Sequence, residues 1–138
     1  MKITARLHNR EGEHQISLST NDNVHSLSIA PKASGFGSSV NGGELLFLAL
    51  ATCYCNDIYR EAAKRSIRVE SVEVEVEGEF GAEGDSARNV HYHTKITAHA
   101  GDEAIRALAV ETDRVAEIQN SLRAAIPVTL GEVEAVSV

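Results

Sequence analysis

The run Leu45-Leu-Phe-Leu-Ala-Leu-Ala-Thr-Cys-Tyr-Cys55 constrains this chain more than any other feature, because it is apolar around the whole circumference of a helix. A helix with no polar face needs cover on most sides. The chain has 138 residues, and domains near this size bury roughly 68–70% of the surface of their unfolded form. That is enough for one core but little to wrap such a helix completely, so a dimer that encloses it between subunits is expected. The run falls far short of the roughly 20 apolar residues that span a bilayer, which argues against a membrane segment.

Flanking residues set the limits of the helix. Asn41-Gly-Gly-Glu44 offers a side-chain cap with an acid three residues on, a close relative of the capping box. The helix is expected from about Gly43 to Arg65. Glu44 near its start and Arg60, Lys64 and Arg65 near its end all complement the helix dipole.

Before the helix, Ile3, Ala5, Leu7, Ile16, Leu18, Val24, Leu27 and Ile29 alternate loosely between turn signals at Asn9–Gly12 and Asn21–Asn23, which reads as three short antiparallel strands. After it, Val72, Val74, Val76 and Phe80 alternate with Glu73, Glu75, Glu77 and Glu79, the period of a half-buried strand. A second strand sets Val90, Tyr92, Ile96 and Ala98 against His91, His93, Lys95 and His99, closing a hairpin. Asp102 is expected to cap a helix over Glu103–Val110, Asp113 another over Arg114–Ala125, and Val128–Val138 alternates as a last strand. The order βββ-α-ββ-αα-β is an α+β arrangement. No repeat or Pro-rich linker divides it, so one domain over residues 1–138 is expected.

A net charge of −7 argues against partners held by bulk attraction to anions, namely nucleic acid and acidic membrane. With no secretory apolar core after Met1, the chain reads as cytoplasmic. Its only thiols are Cys53 and Cys55. In a reducing compartment these are either buried small hydrophobes or reactive groups.

At about 100° per residue, Cys53 shares a face with Leu46, Ala49, Leu50, Asn56, Asp57 and Arg60. Cys55 lies with Leu48, Ala51, Ile58, Tyr59 and Ala62. Side chains two apart on a helix diverge, which disfavours both a Cys53–Cys55 disulfide and joint metal ligation. A thiol reacts as its thiolate, and with an ordinary pKa of about 8.5 it needs a nearby cation. Asp57 pushes the wrong way and Arg60 is two turns off, so an arginine from another segment is the better activator. Core filling is the alternative for both thiols.

Two other groupings invite a site. His91 and His93 share a strand face at a spacing that metals use, but the facing glutamates make them cross-strand charge complements, and no metal is expected. Gly35-Phe-Gly37 and Gly42-Gly43 precede a helix without the lysine of a phosphate-binding loop. They read as a flexible loop whose Phe36, with Leu50, lines an apolar pocket beside Cys53, or which simply connects two elements.

The stretch Asn41-Gly-Gly-Glu-Leu-Leu-Phe-Leu-Ala-Leu-Ala-Thr-Cys53 resembles the central-helix motif of the OsmC/Ohr family, an Asn-Pro-Glu-Glu-Leu pattern followed by an Ala-rich turn or two and the peroxidatic cysteine. Asn9-Arg-Glu-Gly12 is similar to that family's Gly-Arg-Asp-Gly turn, and the element order agrees over the whole chain. The resemblance implies an intertwined homodimer with sites at the subunit interface. It also implies reduction of organic hydroperoxides or hydrogen peroxide, a role in the oxidative-stress response, and recycling by an external dithiol such as a lipoylated protein, with no bound cofactor.

By position, the resemblance makes Cys53 the nucleophile and Arg10 its activating cation. A sulfenic acid on Cys53 then needs a second thiol. The family's arginine-holding glutamate falls at Gly43, leaving Glu44 one position late, and the family's second cysteine aligns with Asn120. Resolution therefore falls to Cys55 or to an external thiol. The other readings are a non-catalytic protein binding a small apolar ligand at the interface, and a redox sensor.

Overall fold

The computed structural model describes residues 1–136. The chain packs as two compact units, the first from Met1 to Leu46 and the second from Phe47 onward.

The first unit holds the expected three-stranded meander, β1 (Ile3–Arg10), β2 (Glu13–Thr20) and β3 (Asn23–Ser26). Order β1-β2-β3 is antiparallel throughout, with Ala5 opposite Leu18 and Leu7 opposite Ile16. Gly12 takes φ 72° in the first turn, a conformation open to glycine without steric cost. Ile3, Leu7 and Val24 remain exposed.

The helix α1 (Gly42–Lys64) begins one residue before the expected limit and ends one residue earlier. Its cap is the reciprocal pair foreseen from sequence: the Glu44 amide donates to Asn41 Oδ1 at 2.9 Å and the Asn41 amide to Glu44 Oε2 at 2.8 Å. Two of the donors orphaned at a helix start are thereby satisfied.

In the second unit the hairpin strands β4 (Arg68–Glu79) and β5 (Arg88–His99) pair with Val74 opposite Thr94, Val76 opposite Tyr92 and Glu77 opposite His91. Register shifts between Val69 and Ser71 and between Glu77 and Glu79 bend the ladder. The inward face packs on α1 and α2 (Asp102–Val115) around Tyr54, Ile58, Ala62, Leu108 and Ala116, with Ile67, Val69, Val72, Val74, Tyr92 and Ile96 at its margin. Ile58 and Leu108 are completely enclosed, each contributing about 1.5–3 kcal/mol by burial. Tyr54 meets Tyr92 edge-on at 4.8 Å and donates its hydroxyl to the Ala109 carbonyl at 2.9 Å.

Three expectations are corrected. Asp102 is the first residue of α2, and Gly101 precedes it without a side-chain cap. Asp113 lies inside α2, which continues to Val115, because its carboxylate is engaged by Tyr92 Oη and by Arg123 Nη2 at 2.7 Å. The break falls instead at extended Ala116, and α3 is short, Glu117–Arg123. Residues 128–136 form no strand; the last two residues of the expected strand lie outside the described residues. A strand needs a partner for its amides and carbonyls, and here Val128 and Leu130 stand 94% and 85% exposed. No helix among the described residues is long and apolar enough to cross a membrane.

Candidate thiol site

Cys53 is half-buried on α1, and its polar neighbours come from α1 itself and from the start of α3. Its Sγ donates to Asp57 Oδ2 at 3.6 Å, one helical turn on, and lies 3.9 Å from Glu117 Oε2 at the start of α3. Helical spacing brings Cys53 and Asp57 together. The break at Ala116 brings in Glu117, an approach that no sequence spacing announces.

Arg60 folds back over this cluster. Its Nη1 is 2.8 Å from Asp57 Oδ1 and 3.4 Å from Glu117 Oε1, so one cation holds both carboxylates beside the thiol. Two turns from Cys53 in sequence, it reaches the cysteine's surroundings through these two acids.

Burial holds the Cys53 thiol above its ordinary pKa, and the charges of Asp57 and Glu117 add to this, while hydrogen bonding from the Ile118 backbone opposes it. Desolvation and the neighbouring Glu117 likewise raise the Asp57 carboxyl, against the pull of Arg60. Glu117, more exposed, is lowered by backbone hydrogen bonding and by Arg60. The thiol is therefore protonated at rest, with a buried carboxyl in reach of its proton. Cys53, Asp57 and Glu117 also place their donor atoms within 4.8 Å of one another, a spacing open to a metal ion, although Arg60 already engages both acids.

The other expected site residues have definite places. Cys55 lines a shallow hollow of about 280 Å³ with Ala51, Thr52, Asn56, Val72 and Val74, a different set of neighbours from those of Cys53. Leu50 is buried, and its carbonyl accepts a hydrogen bond from Gln119 Nε2 at 3.0 Å. Gln119 Oε1 is buried without a hydrogen-bond partner among the described residues.

Within the first unit, the Arg10 guanidinium forms a two-point pair with Glu13, Nε to Oε2 at 2.8 Å and Nη2 to Oε1 at 2.7 Å. Glu44 is engaged in the helix cap. Phe36 is 66% exposed in a loop tied down where the Gly37 amide donates to Asn9 Oδ1 at 3.0 Å. Asn120 donates Nδ2 to the Arg114 carbonyl at 3.0 Å and so closes the end of α2.

The sequence matches the family model described as OsmC-like protein over residues 35–131. No curated protein sequence matches the chain significantly. Among solved structures, an OsmC-like protein from Mycoplasma pneumoniae is 20% identical with a TM-score of 0.61, covering 88% of this chain and 86% of its own. An organic hydroperoxide resistance protein from Legionella pneumophila is 19% identical with a TM-score of 0.58, covering 89% of this chain and 90% of its own. An OsmC-like protein from Vibrio cholerae, described as of unknown function, is 14% identical with a TM-score of 0.59, covering 88% and 93%. These likenesses show a shared fold, and because the family model spans well over half of the sequence, the chain belongs to the OsmC-like family.

Proposed function

We propose that this protein is a thiol peroxidase that reduces organic hydroperoxides through Cys53 and is recycled by an external dithiol. The observation that carries the reading is the Cys53 Sγ donating to a buried Asp57 carboxylate that Arg60 holds at 2.8 Å. This supplies the nucleophile, a proton acceptor for it and a cation in one cluster.

In the proposed reaction Asp57 takes the thiol proton and the Cys53 thiolate attacks the distal peroxide oxygen. The S–O bond forms, the O–O bond breaks, and the leaving alkoxide recovers the proton from Asp57 as an alcohol. Cys53 is left as sulfenic acid. One thiol of a dithiol then attacks the sulfenic sulfur and releases water, and its second thiol displaces Cys53 while closing the cyclic disulfide. An external dithiol, such as a lipoyl group on a carrier protein, suits this step better than Cys55, whose neighbours differ from those of Cys53 on an unbroken helix.

A homodimer belongs to the same reading. Leu48 and Tyr59 on α1, Leu7 and Val24 in the meander, and Val128 and Leu130 near the C-terminus are large apolar side chains left open to solvent. A second copy would cover such surface and is the natural source of a second cation, Arg10, for each thiol. Sedimentation at micromolar concentration tests this, with a monomer as the contrary result.

The activity test is consumption of cumene hydroperoxide with dihydrolipoamide. Cys53→Ser should abolish turnover and Cys55→Ser should preserve it. Turnover that survives Cys53→Ser refutes the assignment. The raised pKa of Cys53 favours a second reading, a non-catalytic protein that binds a small apolar ligand. Absent turnover together with slow alkylation of an intact Cys53 would select it.

A further inference from the structure

Away from the thiol, three donors converge on the outward face of the β4–β5 hairpin. A ring nitrogen of His91, a ring nitrogen of His93 and a carboxylate oxygen of Glu77 all lie within 4.8 Å of one another. His91 and Glu77 face each other across the ladder, with Nε2 and Oε2 3.1 Å apart, and the two imidazoles meet edge-on with centroids 5.3 Å apart.

Two features separate this arrangement from a simple surface charge pair. The first is an anchor behind His91: its Nδ1 lies 3.0 Å from the carbonyl of Asn89. Held in this way, the ring turns Nε2 toward the Glu77 carboxylate. Nε2 and Oε2 then stand at the separation of neighbouring ligands on one metal ion. Metal-binding histidines characteristically donate their second ring nitrogen to a backbone carbonyl or carboxylate, which fixes tautomer and orientation.

The second feature is the origin of that anchor. Between Glu77 and Glu79 the register shifts, and Asn89 adopts φ 53°, a left-handed conformation that asparagine tolerates better than most residues. The extra residue in β5 turns the Asn89 carbonyl toward the ring two positions on. Bulges commonly re-aim side chains beside functional sites.

We infer that Glu77, His91 and His93 form a binding site for a divalent transition-metal ion, Zn²⁺ in the first instance, across the two hairpin strands. Two imidazoles and one carboxylate are borderline and hard donors that suit Zn²⁺, with water completing the coordination of a site that opens to solvent. The ion would tie β4 to β5 where the bulge interrupts their ladder. The site uses no residue of the thiol cluster and stands whether or not Cys53 reduces peroxides.

Calorimetric titration of the untagged, full-length protein with ZnCl₂ in a non-coordinating buffer tests the inference. The expected result is one equivalent bound, a weakening of at least about tenfold in His91→Ala/His93→Ala, and unchanged binding in Cys53→Ser. Co²⁺ in place of Zn²⁺ should give visible d–d bands without a sulfur-to-metal charge-transfer band. Zn²⁺ should raise the melting temperature of the wild type and not that of the double variant. The inference is overturned by absence of binding, by binding that survives the double variant, or by binding that Cys53→Ser removes, which would place the ion at the thiol cluster.

Discussion

Arg60 and Asp57 form an ion pair at 2.8 Å across one turn of α1, and the free side of that carboxylate receives the Cys53 thiol. Asp57 is nearly enclosed, while Arg60 keeps much of its surface in solvent. Its attraction therefore reaches the thiol only through acids that themselves disfavour a thiolate. In the proposed reaction the cluster takes a proton off Cys53, while burial and these acids hold the thiol pKa above its ordinary value.

Asp57→Asn separates these two effects. Removing the carboxylate takes away one of the charges that raise Cys53, so alkylation by iodoacetamide should reach its half-maximum at lower pH. Peroxide turnover should nevertheless fall by about a hundredfold, the usual range for loss of a positioned proton acceptor. Turnover that rises in step with alkylation would remove Asp57 from proton transfer. The substitution should also change stability. The folded-state pKa of Asp57 is raised, so the native protein binds more protons than the unfolded chain between the ordinary and raised values. The resulting contribution is fully present below the unfolded pKa and lost as pH rises through the folded one. Asp57→Asn should flatten that part of the stability profile.

Gly78→Ala tests the packing between α1 and the hairpin. A methyl group at Gly78 would stand 2.7 Å from Phe47 Cζ and 3.0 Å from Val90 Cγ2, and Phe47 is stacked on Phe80 at 5.9 Å. The ring cannot retreat without disturbing that stack, so the variant should lose about 1–3 kcal/mol by overpacking. Urea denaturation measures the loss, and an unchanged midpoint would mean that Phe47 has room to move.

Local signals in the sequence were legible where neighbours decide the structure. The Asn41–Glu44 cap, the alternation of Val72, Val74 and Val76 with glutamates, and the divergence of Cys53 from Cys55 all follow from spacing within one element. The extent of α2 did not, because the Asp113 carboxylate is claimed by Tyr92 and Arg123 from distant positions. Glu117 escaped for the same reason: it reaches Cys53 only after the chain turns at Ala116. The alternation beyond Val128 was real, but residues 128–136 pair with no strand. The histidine face was visible as a pattern, whereas the anchoring of His91 required a bulge that periodicity cannot show.

Glu61 should govern part of the acid sensitivity. Lys64 at 2.6 Å, with Arg65 and Arg60, holds its pKa down at about 2 against the effect of burial. A depressed carboxyl contributes stability above its unfolded pKa and loses it as pH falls toward the folded value. The loss should therefore run from about pH 4.3 down to about 2. Glu61→Gln should lower the melting temperature at neutral pH and flatten its slope across that interval. A variant with the wild-type slope would show that other carboxylates carry the acid transition.

Arg10 offers the sharpest test of whether a second cation serves Cys53. Its guanidinium is paired at two points with Glu13 in the first unit, and that bond raises its pKa further. An arginine so engaged has less freedom to orient a peroxide. If the proposed dimer brings Arg10 to the thiol, Glu13→Gln should release it and speed alkylation of Cys53 about threefold, the modest effect expected of a solvent-exposed ion pair. Arg10→Ala should slow alkylation and peroxide turnover together. Rates unchanged in both variants would leave Arg60 as the only cation acting on Cys53, and would shift the balance toward the ligand-binding reading.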